Sequence, residues 1–91
     1  MADARQSVTI VNKRGLHARA SAKFVAAAAQ MDGVKITVAK DGSSAGGTSI
    51  LGLMMLGAAM GDTITISAEG EGAEEAVQAL VELVEAKFGE D

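Results

Sequence analysis

Three short segments of the chain alternate apolar and polar residues with a period of two, and each keeps one polar side. In 7–11, Val8 and Ile10 fall on one face and Ser7, Thr9 and Val11 on the other. In 34–39, Val34, Ile36 and Val38 oppose Lys35, Thr37 and Ala39. In 63–68, Ile64, Ile66 and Ala68 oppose Thr63, Thr65 and Ser67. β-Branched residues at this period predict strands with one buried and one solvated face. Parallel sheets are covered on both faces, so a solvated face predicts antiparallel pairing. Lys40-Asp41-Gly42-Ser43 reads as a turn, with 43–46 as a short edge strand after it.

The segments between these strands have helical signatures. Residues 18–30 are rich in Ala and contain no Gly or Pro, with Ala20, Phe24, Ala27 and Met31 on one face. Residues 49–56 predict a short helix with Ser49 as N-cap, ended by Gly57 and Gly61. Residues 73–88 predict the longest helix, with Ala73, Ala76, Val77, Leu80, Val81, Val84 and Phe88 as its apolar stripe. Glu74 and Glu75 in its first turn and Lys87 in its last suit the helix dipole. The order is β-α-β-β-α-β-α. One face of the sheet is polar, so all three helices must cover the other. The expected fold is α+β: a two-layer open-faced sandwich of a four-stranded antiparallel sheet and three helices. No repeat or linker divides the chain, which reads as a single domain over residues 1–91.

The chain has no cysteine, which excludes disulfides and thiolate metal sites. Met1 to Gln6 is polar and lacks an apolar signal core. No apolar run approaches the ~20 residues of a membrane span. The expectation is a cytoplasmic monomer, without membrane insertion and without metal or cofactor. The net charge of −4 is unevenly distributed. Residues 1–40 carry seven Lys or Arg against two Asp; residues 41–91 carry one Lys against ten acids. Four of the seven, Lys13, Arg14, Arg19 and Lys23, crowd around the only histidine, His17. That pattern suits a phosphate or an acidic partner surface. An acidic chain without Tyr or Trp does not suit nucleic acid.

His17 stands where a strand pattern gives way to a helix pattern, in Asn12-Lys13-Arg14-Gly15-Leu16-His17-Ala18-Arg19. A helix N-terminus offers unpaired N–H groups and the positive end of a dipole, and so attracts phosphate. Gly15 permits a tight turn and close approach by another chain. The N–H groups of Ala18 and Arg19 open the helix, and the Arg19 guanidinium can grip two phosphate oxygens. Near neutral pH an imidazole offers a nitrogen lone pair as nucleophile. No Gly-x-x-x-x-Gly-Lys-Ser/Thr loop is present, so a phosphate on His17 would have to come from another protein. The bland alternative is a packed structural histidine in a ligand-binding domain.

Gly15-Leu16-His17-Ala18-Arg19, followed by small residues, resembles the active-site signature of HPr, the histidine-containing phosphocarrier family of the bacterial phosphotransferase system. Ser49-Ile50-Leu51-Gly52-Leu53-Met54-Met55-Leu56-Gly57 and Thr65-Ile66-Ser67-Ala68-Glu69-Gly70 extend the resemblance over nearly the whole chain. It implies a carrier rather than an enzyme with turnover of its own. His17 would accept phosphate at Nδ1 from Enzyme I, which draws on phosphoenolpyruvate, and donate it to an EIIA-type domain. It also implies that Ser49, besides capping a helix, is a target of HPr kinase/phosphorylase. Helix 49–56 is apolar nearly all round, so about half of it should be core and the rest an exposed patch. The resemblance places that patch beside the histidine. Ile50, Leu51, Met54 and Met55 are therefore expected to dock partners, with Arg14, Arg19 and Lys23 steering. The family's usual Pro after the arginine is Ala20 here, Ala18 supplies no hydroxyl, and Thr48 stands where relatives under serine control often carry a basic residue. The Asn-Lys-x-Gly-x-His-Ala-Arg run and the Leu-Met-Met-Leu helix are also similar to the nitrogen-type branch, NPr. In that alternative the phosphorylation state controls partner binding rather than sugar uptake.

Overall fold

The structure is a computed structural model that describes residues 3–90. Four strands form one antiparallel sheet: β1 (Asp3–Thr9), β2 (Val34–Lys40), β3 (Ser43–Gly46) and β4 (Thr63–Gly70). Their spatial order is β1-β4-β2-β3. Three helices complete the chain: α1 (Ala18–Ala29), α2 (Ile50–Met55) and α3 (Ala73–Glu85). The expected α+β arrangement is the one observed.

The period-two pattern decides the layers. Val8, Ile36, Val38, Ile64, Ile66 and Ala68 are buried under the helices, while Ser7, Thr9, Thr63 and Lys35 are exposed on the open face. α1 contributes Ala20, Phe24 and Ala28 to the core, and α3 contributes Val77, Leu80, Val81 and Val84. Ala27 on α1 is only half-buried, and so is Met31, which lies beyond the helix end because α1 stops at Ala29. β1 begins earlier and ends sooner than the alternation of 7–11 predicted. β4 runs on to Gly70, and β1 follows it, pairing Asp3 with Glu69 through to Thr9 with Thr63. Backbone pairing thus extends the strand through the polar Arg5 and Gln6, where the side-chain pattern is silent.

The last helix needs a correction. The stripe through Phe88 predicted a helix over 73–88, yet α3 ends at Glu85. Lys87 and Phe88 then take left-handed conformations, φ 58° and 55°, in a short 3-10 turn, Lys87–Gly89. Lys87 therefore lies outside the last turn of α3. Left-handed backbone costs roughly 1–2 kcal/mol per non-glycine residue. Burying a phenylalanine returns about 1.5–3 kcal/mol, and Phe88 is 1% exposed. The two nearly offset, so the hydrogen bonds that this turn makes to the rest of the molecule tip the balance.

Candidate functional site around His17

The loop between β1 and α1 is set against the loop after α2. Ile10 N donates to Asp62 O, and Gly61 N to Ile10 O, both at 2.8 Å. Leu16 N donates to Ala58 O at 3.0 Å, and the Leu16 side chain is buried. Gly15 lies between, at φ 63°, so close that a Cβ there would sit 2.3 Å from Ala58 O. Glycine is required here by both conformation and space.

His17 is the N-cap of α1. Its backbone is extended (φ −74°, ψ −179°), and its Nδ1 accepts a hydrogen bond from Arg19 N at 3.3 Å. Its carbonyl accepts from Ser21 N, and the Ser21 hydroxyl closes the turn on Leu16 O. A nitrogen replaces the usual oxygen as the capping acceptor. One edge of the imidazole is thereby aimed at the electropositive start of a helix of 12 residues.

The other edge meets a carboxylate. Nε2 lies 2.6 Å from Glu90 Oε2, and both side chains are 16% exposed. Glu90 Oε1 accepts from Asn12 Nδ2 at 3.0 Å, and the same Nδ2 donates to Gly15 O at 2.9 Å. Asn12 is fully buried, and its Oδ1 has no partner among the described residues. Partial burial opposes ionisation of Glu90. The hydrogen bonds from Asn12 and His17 and the positive charges nearby, including Lys23, outweigh it and hold the carboxyl below its ordinary value.

The other residues singled out in the sequence fall as follows. Arg14 and Arg19 are exposed, with no carboxylate in ion-pair range among the described residues. Lys23 donates to Phe88 O at 2.7 Å, so its ammonium holds the C-terminal turn. Ser49 is exposed and caps α2, its Oγ accepting from Gly52 N at 3.0 Å. On α2 only Leu53 is fully buried, while Leu51 is 68% and Met55 77% exposed, with Ile50 and Met54 near 40%. Sequence reasoning missed Glu90 and the role of Asn12, which are 78 positions apart. It also missed Met60, 58% exposed in the loop that faces Gly15. Among the described residues no group of three or more His, Cys, Asp or Glu could hold a metal, and no helix is long and apolar enough to cross a membrane.

Residues 4–86 match the family model described as PTS HPr component phosphorylation site. The chain belongs to the HPr family. It is 46% identical to the phosphocarrier protein HPr of Neisseria meningitidis over 94% of this chain and 96% of that one. It is 43% identical to the phosphocarrier protein NPr of Shewanella violacea over 99% and 98%. A crystal structure of HPr-C-His from Thermoanaerobacter tengcongensis superposes with a TM-score of 0.90 at 44% identity, covering 97% and 98%. Membership in the HPr family makes the chain a phosphocarrier of the phosphotransferase system, not an enzyme with its own turnover. Partners such as Enzyme I and EIIA go with that membership.

Proposed function

We propose that His17 is the phosphoacceptor, taking its phosphoryl group from Enzyme I at Nδ1 and passing it to an EIIA-type domain. The observation that carries this reading is the capping contact between Nδ1 and Arg19 N at the start of α1. The Nδ1 lone pair attacks phosphorus, and the bond from phosphorus to the donor breaks, its electron pair leaving with the donor. The capping bond from Arg19 N occupies that same lone pair, so it is given up as the attack begins, and the N–H groups of Ala18 and Arg19 become free to donate to phosphate oxygens. Arg19, exposed and unpaired with carboxylates among the described residues, closes over the same oxygens. Positioning and charge account for most phosphoryl-transfer catalysis, so the partner's site can supply the rest.

The test is labelled phosphoenolpyruvate with Enzyme I, magnesium and this protein, beside His17→Ala. Acid-labile, alkali-stable label that is lost in His17→Ala is the expected result. Label retained in the variant would move the acceptor elsewhere. The NPr likeness over 99% of the chain supports a second reading, a nitrogen-type regulatory carrier. Parallel rates with sugar-type and nitrogen-type Enzyme I decide between them. Ser49, exposed at the edge of the α2 patch, is proposed as the site for HPr kinase/phosphorylase. Its phosphate would repel acidic partners from that patch, so the phosphoserine form should accept label from Enzyme I more slowly.

A further inference from the structure

Lys23 and Asn12 fasten the same short segment at two points. The Lys23 ammonium takes the Phe88 carbonyl at 2.7 Å, and the Asn12 amide takes Glu90 Oε1 at 3.0 Å. Between them the chain turns back through left-handed Lys87 and Phe88, with Phe88 sunk in the core. Backbone strain of this kind persists only where surrounding contacts impose it, and it concentrates at functional sites. The orientation of the Asn12 amide is equally fixed. Its Nδ2 faces two oxygens, Gly15 O and Glu90 Oε1, so exchanging the amide atoms would set oxygen against oxygen twice. Keeping that orientation leaves Oδ1 buried without a partner among the described residues, a cost a merely structural asparagine would not incur.

We propose that Glu90 is the positioning residue of the phosphoacceptor, held by the Asn12 and Lys23 clasp so that its carboxylate fixes the proton of His17 on Nε2. The inference rests on the reading of His17 as acceptor. An ionised carboxylate is acceptor-only, so the 2.6 Å contact places the proton on Nε2. The backbone N–H of Arg19 is donor-only, so the 3.3 Å contact places a lone pair on Nδ1. Two fixed partners on opposite ring edges thus assign one tautomer, with the nucleophilic nitrogen facing the helix start. As Nδ1 attacks and the donor's bond to phosphorus breaks, the ring becomes cationic. The Nε2–H stays in place, and the carboxylate already beside it offsets the new charge with no rearrangement.

The experiment compares the full-length protein with Glu90→Ala, Glu90→Gln and Lys23→Met. Ring 15N shifts of His17 are recorded on the neutral imidazole, and Enzyme I kinetics are measured in parallel. The wild type is expected to hold the Nε2–H tautomer. Glu90→Ala should populate Nδ1–H and lower the maximal rate about tenfold, with the half-saturating concentration of Enzyme I unchanged. Glu90→Gln should restore part of the tautomer bias but not the rate, because its amide oxygen accepts the hydrogen bond from Nε2–H without offsetting charge. Lys23→Met should loosen the clasp and shift the tautomer less than Glu90→Ala does. An unchanged tautomer in Glu90→Ala overturns the proposal, and so does an unchanged rate. If the tautomer responds but neither protein takes label, the acceptor reading fails while the proton assignment stands. Label on wild type, with all variants indistinguishable from it, removes Glu90 alone.

Discussion

The carboxyl of Glu90 gives the site a pH dependence whose sign is fixed by its neighbours. Its folded pKa is lowered, because hydrogen bonds from Asn12 and His17 outweigh the effect of partial burial. Between the folded and unfolded values the unfolded state binds more protons, so the contribution to stability rises with pH there. It is fully present above the unfolded value and is lost as pH falls through the folded one. Carbon-detected titration of Glu90 should give a midpoint below that of an unfolded peptide, and the amides of 87–90 should shift with the same midpoint. A midpoint at or above the peptide value would mean that the clasp does not form. Gly15 makes a second residue-scale prediction. Gly15→Ala meets both left-handed backbone and a carbonyl 2.3 Å from the new Cβ. Thermal or denaturant unfolding should show a loss of about 2 kcal/mol or more. At this scale the sequence was half legible. His17, Gly15 and Arg19 declare themselves by their chemistry in one short run. Asn12 sat in that run without a visible role, and Glu90 had none until a left-handed turn returned it to the histidine.

Elements were legible wherever side-chain period and burial agree. α2 is capped by Ser49 and ends before Gly57 as expected, because capping and glycine termination are local effects. Removing the cap in Ser49→Ala should lower stability by about 1 kcal/mol, read from the denaturant midpoint at constant slope. What periodicity could not divide was the surface of α2. A helix apolar all round does not say which side is core, and only Leu53 is fully buried. The exposed remainder predicts docking. Met55→Glu, at a side chain 77% exposed, should leave stability within about 0.5 kcal/mol. It should raise the half-saturating concentration of Enzyme I several-fold, and an unchanged value would remove Met55 from the docking surface. The end of α3 failed for a different reason. Phe88 does belong to the apolar stripe, but a phenylalanine reaches the same core from a helix or from a turn, and only tertiary contacts with Lys23 and Asn12 choose the turn.

Across the whole molecule, a group of acids from both halves of the chain is brought together at one end of the sheet. β1 runs from Asp3, paired with Glu69, toward the loop that carries His17. Asp32 and the run Glu71, Glu74 and Glu75 adjoin the paired ends Val34 and Gly70. Six acids, Asp3, Asp32, Glu69, Glu71, Glu74 and Glu75, therefore collect at the end of the sheet away from His17, while exposed Lys13, Arg14 and Arg19 flank the histidine in its loop and first helical turn. The longest dimension is 35 Å, against a Debye length of about 8 Å at physiological salt. A partner approaching the histidine at that ionic strength meets the basic end and is screened from the acidic one. Neutralising Lys13 and Arg14 together should slow the second-order transfer rate with an acidic partner and flatten its dependence on salt, with the maximal rate retained. Reversing Glu74 and Glu75 to lysine changes the net charge more, yet should alter the rate little at about 0.15 M salt. Its effect should emerge only at about 0.01 M, where the Debye length approaches the length of the molecule. If the two far-end reversals instead accelerated transfer equally at both salt concentrations, net charge rather than the local basic surface would govern the encounter.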